Sequence, residues 1–126
     1  NRANLDQIFL IAPNSDAERI GRICEFASGF VYFVAVKGVT GDKELNVGSV
    51  GARVSEVCAT TELPVGVGFG IKTPESAGRA AELADAVIVG SAVVELIEQG
   101  GADPVALERF VSRLRSAVDA SAIVSE

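Results

Sequence analysis

The sequence predicts an α/β fold in which four consecutive β-α units form one parallel sheet. Four short apolar runs, rich in β-branched or aromatic residues, begin at residues 8, 30, 63 and 86, with spacings of 22, 33 and 23 residues. These spacings are long enough for right-handed crossovers between parallel strands. No run alternates with polar residues, so we expect both faces of each strand to be buried. The predicted strands occupy residues 8–12, 30–36, 63–68 and 86–90.

A helical pattern follows each of the four runs, with apolar side chains spaced three and four residues apart. After the fourth run, a short helix at 92–98 precedes a longer one. Two cysteines fall on the apolar faces, so we expect buried free thiols, with a disulfide or a reactive thiol as alternatives. The expected buried faces are Ile20, Ile23, Cys24 and Ala27; Val50, Val54, Val57 and Cys58; Ala77, Ala80, Ala81 and Ala84; and Leu107, Phe110, Val111, Leu114 and Val118.

Capping residues support three of these helices. Ser15, followed by Glu18, has the spacing of a capping box, in which each side chain accepts a hydrogen bond from a backbone N–H of the first turn. Thr73-Pro74-Glu75 supplies a cap, a proline at the first helical position and an early acid. Asp103-Pro104 does the same for the last helix.

Composition excludes several classes of function. The 126 residues include no histidine, so histidine triads, histidine metal sites and histidine general bases are ruled out, and we predict no metal site. The 11 basic and 17 acidic residues give a net charge of −6, which is unlike the basic footprint of nucleic-acid binders. No apolar run is long enough to cross a membrane, and we predict a cytoplasmic protein.

Glycines at the predicted strand ends indicate a phosphate site. Ligands of parallel α/β folds bind at the carboxyl ends of the strands, where this chain places Gly68-Phe69-Gly70 and Gly90-Ser91. Glycine allows backbone N–H groups to approach an anion, and a helix beginning at Ser91 would add donors and a favourable dipole. The alternative is that these glycines only form tight turns.

The predicted strand ends carry no carboxylate, so the chain has no obvious acid–base pair. The excess length between the second and third strands forms a loop at 37–48, and long loops at this end of a sheet are usually functional. Its Asp42 and Glu44 could reach a ligand, although solvated loop charges are the simpler interpretation, and the same holds for Lys37. Tyr32 fits either a packing or a ligand-facing role.

Five motifs also resemble a known family in chain order, over about residues 5–119. They are Ile8-Phe9-Leu10-Ile11-Ala12-Pro13; Ser28-Gly29-Phe30-Val31-Tyr32; Gly38-Val39-Thr40-Gly41; Leu63-Pro64-Val65 leading into Gly68-Phe69-Gly70-Ile71 and Thr73-Pro74-Glu75; and Gly90-Ser91-Ala92. In this order they resemble the C-terminal half of the tryptophan synthase alpha subunit. That family folds as a (β/α)₈ TIM barrel of roughly 250 residues. The resemblance implies that residues 1–126 are a half barrel, strands five to eight with their helices, and that the N-terminal half is absent.

The resemblance also implies a reaction and partners. The family is a lyase of tryptophan biosynthesis that cleaves indole-3-glycerol phosphate to indole and glyceraldehyde 3-phosphate. It needs no cofactor of its own, because pyridoxal phosphate belongs to the beta subunit that receives the indole. The implied phosphate contacts are Gly41, Gly70, Gly90 and Ser91; the implied pocket residues are Phe69, Ile88 and, facing the indole, Tyr32; and Thr40 matches a threonine that orients a catalytic aspartate.

Two departures from the family limit these implications. Val36-Lys37 stands where some members have Arg-Ser or Arg-Thr, which puts any role of that arginine in doubt. The family's catalytic Glu and Asp lie in the N-terminal half, and nothing in this chain matches them. We therefore predict no catalytic residue in this chain, a supporting role for Thr40, and no lyase turnover by the chain alone.

Other interpretations remain open. We interpret Asn1 as a cut end, since it is not a Met. Four strands cannot close a barrel, so the open strand edges would pair either with an N-terminal half barrel or with a second copy in a non-catalytic assembly. A different phosphate-binding barrel enzyme, such as a phosphoribosyl isomerase, is the third possibility.

Overall fold

The computed structural model describes residues 2–35, 47–100 and 103–124. Strands and helices alternate along the chain as predicted, and two helices follow the last strand. The elements are β1 (Phe9–Ile11), α1 (Ala17–Phe26), β2 (Val31–Val34), α2 (Val47–Thr60), β3 (Val65–Gly68), α3 (Pro74–Ala81), β4 (Ala86–Val87), α4 (Ser91–Gly100) and α5 (Pro104–Val124).

The four strands form one parallel sheet in chain order, β1-β2-β3-β4, which confirms the predicted α/β class. Phe9 pairs with Val31, Val31 pairs with Val65, and Gly66 pairs with Ala86. The strands are shorter than the apolar runs that predicted them, most of all β4, which has two residues. The apolar residues after β4 still contribute to packing, because Val89 lies against the core and the N–H of Ile88 donates to Val67 O.

The hydrophobic core lies between the sheet and the helices. Every second strand residue points toward it, and Ile11, Val31, Phe33, Val65 and Val67 are almost completely buried. The helices cover these side chains with the faces that the spacing predicted. Their buried members are Ile20 of α1, Val50, Val54 and Val57 of α2, Ala77 and Ala80 of α3, and Leu114 of α5.

The prediction that both faces of each strand are buried holds for β3, whose four residues are all buried, and is wrong for the opposite face of β1 and β2. Leu10 on this face is 63% exposed, and Tyr32 and Val34 are only half-buried. The reason is that the described helices pack on one face only, so the alternate strand residues have no second layer over them. We call this side the inner face and the helix-covered side the outer face.

Two of the predicted helix starts are confirmed, and one is wrong. Thr73 caps α3 by accepting from the N–H of Ser76, and Asp103 accepts from the N–H of Val105. For α1, however, the cap is Asp16 rather than Ser15, since Asp16 Oδ1 accepts from the N–H of Arg19 at 2.8 Å. Ser15 instead lies buried in the preceding turn, where its N–H donates to Ala12 O.

The small residues of α3 allow a second helix to approach closely. Ala77 and Ala80 are buried, and a methyl group built on Gly78 would lie 3.1 Å from Ser121 Oγ of α5.

Two residues that were predicted to lie on buried helix faces are exposed in the structure. Val111 of α5 is 50% exposed, and Cys58 of α2 is also exposed. Within the described ranges, none of the helices is long and apolar enough to cross a membrane.

Candidate functional site

A cleft of about 340 Å³ opens at the carboxyl ends of β2, β3 and β4. It lies on the inner face and extends to the beginning of α4. Its position is the one where parallel α/β folds bind ligands. The lining residues are Tyr32, Val34, Ala35, Gly68, Phe69, Gly70, Ile71, Ile88, Gly90 and Ser91.

Two glycines of β3 shape the floor of the cleft. Because β3 reads Val-Gly-Val-Gly, its valines point to the outer face and its inner face carries no side chain. The side chains of Tyr32 in β2 and of Ile88, the residue after β4, extend over these glycines. A methyl group built on Gly68 would lie 2.6 Å from the Tyr32 hydroxyl, and one built on Gly66 would lie 2.9 Å from Ile88 Cδ1. The glycines therefore let these two larger side chains converge over β3.

The rim of the cleft is formed by the loop at Gly70 and by the start of α4 at Gly90 and Ser91. Gly70 has a φ of +65°, which favours glycine, and the loop after β3 turns there. Across from it, Gly90 O accepts from the N–H groups of Val93 and Val94, so α4 begins beside the cleft. The N–H groups at the first helical positions, Ser91 and Ala92, have no partner within the helix. Such a helix start is favourable for an anion.

Open space lies in front of both rim glycines. Apart from their chain neighbours, no heavy atom of the described residues lies within 4 Å of a methyl group built on Gly70 or Gly90. This differs from Gly66 and Gly68, where neighbouring side chains occupy that space. The rim therefore has room for a bound group, whereas the floor is already covered by protein atoms.

Charged side chains are absent from the lining as far as the described residues show. Tyr32 is the one lining residue there with a titratable side chain. Just outside, Lys72 forms a salt bridge with Glu95 of α4. Asp85 lies at the opposite end of the sheet, where its Oδ2 accepts from the N–H of Val65 at 2.9 Å and its own N–H donates to Val65 O. It therefore joins β3 to the start of β4, as a structural residue would.

Six of the residues selected from the sequence line this one cleft: Tyr32, Phe69, Gly70, Ile88, Gly90 and Ser91. Gly41 and Thr40 lie outside the described residues, as do Lys37, Asp42 and Glu44. Gly68 and Ile71 belong to the strand-end motif that the sequence singled out, although no separate contact was predicted for them, and Val34 and Ala35 were not predicted as lining residues. Val34 could have been found, because it follows Tyr32 by two residues and so shares its face of the strand.

The cysteines lie away from the cleft, near the amino ends of the strands. Partial desolvation raises the pKa of Cys24, and a hydrogen bond with Thr61 opposes this increase. Desolvation also raises the pKa of Cys58, and the charge of Asp85 raises it further. Both are free thiols, as predicted, but Cys24 is only half-buried and Cys58 is exposed. No cluster of His, Cys, Asp or Glu able to hold a metal ion occurs in the described part of the chain.

Comparison with known proteins agrees with the fold and with the motifs. A family model described as "Tryptophan synthase alpha chain" matches residues 1–122. The chain belongs to the tryptophan synthase alpha chain family. Over 118 residues it is 50% identical to the tryptophan synthase alpha chain of Halorhodospira halophila, covering 91% of this chain and 43% of the relative. Over 110 residues it is 52% identical to that of Thioalkalivibrio sulfidiphilus, covering 87% and 41%.

Solved structures of tryptophan synthase have the same architecture. The chain superposes on a Mycobacterium tuberculosis tryptophan synthase with a TM-score of 0.79 at 37% identity, covering 93% of this chain and 43% of that one. It superposes on the alpha subunit from Legionella pneumophila with a TM-score of 0.77 at 35% identity, covering 94% and 44%. The chain thus spans less than half the length of the tryptophan synthase alpha chains that it matches, which are TIM barrels.

Proposed function

We propose that this chain provides the phosphate-binding part of a lyase that cleaves indole-3-glycerol phosphate to indole and glyceraldehyde 3-phosphate. The observation that carries the proposal is the cleft, which combines an apolar floor with an open rim at Gly70, Gly90 and the start of α4. Membership of the tryptophan synthase alpha chain family supports the choice of substrate.

Each part of the cleft has a role in this proposal. The N–H groups around Gly70 and at the start of α4 hold the phosphate, and the dipole of α4 favours its charge. Tyr32, Phe69 and Ile88 contact the indole ring. Binding the phosphate fixes the position of the reacting end, so the anchor lowers the barrier through orientation.

The proton transfers need groups that this cleft does not supply. Cleavage requires an acid and a base near the indole ring and the glycerol hydroxyl. No carboxylate lines the cleft among the described residues. We assign these groups to four further β-α units that close the barrel over the exposed inner face. The chain alone is therefore expected to bind without turnover.

The partners follow from the same proposal. A tryptophan synthase beta subunit receives the indole and holds pyridoxal phosphate, while this chain uses no cofactor. The protein functions in the cytoplasm. The exposed inner-face residue Leu10 is then covered by the other half of the barrel. A second copy covering that face is the alternative, and it would give a stable dimer in analytical ultracentrifugation of the chain alone.

Substitution of Ser91 tests the phosphate site. Ser91 is the first residue of α4, where proline fits a helix without strain, so S91P removes one N–H donor and leaves the helix intact. The matched control S91A removes the hydroxyl and keeps the N–H. A hydrogen bond to a charged group contributes about 1.5–3 kcal/mol, so S91P is expected to weaken binding of glycerol 3-phosphate by at least about tenfold. Equal affinities of S91P, S91A and the unmodified chain, measured by calorimetry, would contradict the site.

A reconstitution assay tests the reaction. The chain is mixed with the N-terminal part of the Halorhodospira halophila relative, and indole release from indole-3-glycerol phosphate is measured. We expect turnover from the mixture and none from either part. Turnover by the 126-residue chain alone would show that the catalytic groups lie within it. A reconstituted barrel that binds the substrate and releases no indole would contradict the proposed reaction.

A further inference from the structure

A salt bridge connects the two sides of the cleft rim. Lys72 follows Gly70 by two residues in the loop after β3, and Glu95 is the fifth residue of α4. Lys72 Nζ lies 3.0 Å from Glu95 Oε1 and 3.3 Å from Oε2. The pair therefore joins the loop that contains Gly70 to the helix whose first residue, Ser91, lines the same cleft.

Helix α4 has little other burial to hold it in place. Its one buried residue is Ala92, whereas Val94 is 53% exposed and Ile97 is 38% exposed. The helix packs against α5 on one side. Val93 and Leu96 are half-buried, so α4 has few apolar contacts to fix its orientation, and a polar contact with the neighbouring loop adds to them.

The loop on the other side is fixed at both ends. Ile71 is buried in the core, and Thr73 caps α3 in a reciprocal arrangement with Ser76. Lys72 lies between these two anchored residues, so its backbone has a defined position. A side chain that extends from it to Glu95 therefore links α4 to a rigid support.

We propose that Lys72 and Glu95 are positioning residues that hold Gly70 and the start of α4 at the spacing that the phosphate requires. This inference rests on the proposed phosphate site. A site held ready for its ligand binds more tightly, because less ordering is left to occur on binding. The two side chains are 52% and 47% exposed, and exposed pairs contribute little to folding. The effect of the pair is therefore expected in ligand affinity and not in stability.

The sign of the effect of E95Q separates this role from direct contact. If Lys72 positioned nothing and instead bound the phosphate itself, Glu95 would compete with the ligand for its ammonium group. Removing the carboxylate would then strengthen binding. If the pair positions the rim, removing either charge weakens binding, and removing both weakens it no further.

The test measures binding of glycerol 3-phosphate by calorimetry at low salt to the unmodified chain and to K72M, E95Q, K72M/E95Q and K72R. We expect a loss of about two- to threefold in each of the first three variants, within the range for an exposed pair, and recovery in K72R. D119N is the matched control, because Asp119 pairs with Arg115 within α5. Its affinity should equal that of the unmodified chain, and urea unfolding should give the same stability for all.

Three results would overturn the inference. Tighter binding by E95Q would assign Lys72 to direct phosphate contact, and unchanged binding by K72M and E95Q would leave the pair without a role at the rim. Fully additive losses in the double variant would show that the two residues act separately. Failure of the unmodified chain to bind glycerol 3-phosphate would instead contradict the phosphate site itself, and the inference with it.

Discussion

The two faces of the sheet differ in what covers them. On the outer face, Ile11, Val31, Phe33, Val65 and Val67 are buried beneath the helices. On the inner face, Leu10 is largely exposed, Tyr32 is half-buried, and β3 carries only glycine. The outer face therefore stabilises the described fold, whereas the inner face provides the cleft. Neighbouring residues of one strand should then respond very differently to substitution.

Phe33 and Tyr32 give the largest expected contrast. Phe33 is 1% exposed on the outer face, so F33A should lower the free energy of unfolding by about 3–5 kcal/mol, enough to unfold a small domain. Y32A removes a half-buried ring from the inner face and should cost much less. Urea unfolding followed by circular dichroism measures both, with F33L as a milder variant. Equal losses at the two positions would show that the inner face also holds the fold together.

Gly68 separates the floor of the cleft from its rim. In G68A the new methyl group would displace the Tyr32 hydroxyl, which lies 2.6 Å from its position, and push the ring into the cleft. We expect about a tenfold loss of affinity for an indole-bearing phosphate, within the range that one methylene produces in a pocket. Affinity for glycerol 3-phosphate should stay the same, since that ligand needs only the rim. Equal losses for both ligands, measured by calorimetry, would contradict this division.

The sequence predicted the outer face better than the inner one. Apolar periodicity identified Ile20, Val54 and Leu114, because a buried helical face repeats a pattern that any core imposes. It was wrong about the inner face of β1 and β2, because an apolar run shows that both faces can be buried but not what covers them. Ile88 lies within an apolar run and Tyr32 fits either a packing or a ligand-facing role by pattern, and only the family resemblance implied that both line a pocket.

The residues that line the cleft could be predicted where they are glycines at strand ends, and less well elsewhere. Gly70 and Gly90 were selected because glycine allows backbone N–H groups to approach an anion, and both line the cleft. The Lys72–Glu95 pair was not, because residues 23 positions apart on a loop and a helix meet only through the fold. The first helix cap was also misassigned, since Ser15 and Asp16 are adjacent and both suit a cap.

The N-cap of α1, a helix on the outer face of the sheet, is expected to have a smaller and local effect on stability. Asp16 accepts from the N–H of Arg19, so D16A should lower the free energy of unfolding by about 1 kcal/mol. E18Q is the matched control and should leave stability nearly unchanged, because the helix does not use a Ser15–Glu18 box. Urea denaturation measures both variants. A larger loss of unfolding free energy in E18Q than in D16A would instead support the Ser15–Glu18 capping box that the sequence predicted.

The cysteines give the smallest expected effect, and it lies at the end of the sheet opposite the cleft. Because the pKa of Cys24 and of Cys58 is raised in the folded chain, folding favours the neutral thiol. Their contribution to stability is fully present below the pKa of an unfolded thiol, about 8.5, and is lost as pH rises through the folded pKa values. Stability measured by urea unfolding should therefore fall between pH 8 and 10, and C24S/C58S should reduce this fall.

The charge of Asp85 raises the pKa of Cys58 and is not among the causes that shift the pKa of Cys24. In D85N, the pH at which the alkylation rate of Cys58 reaches half its maximum should therefore fall, and that of Cys24 should stay the same. An unchanged Cys58 midpoint would show that the charge of Asp85 does not contribute to its pKa.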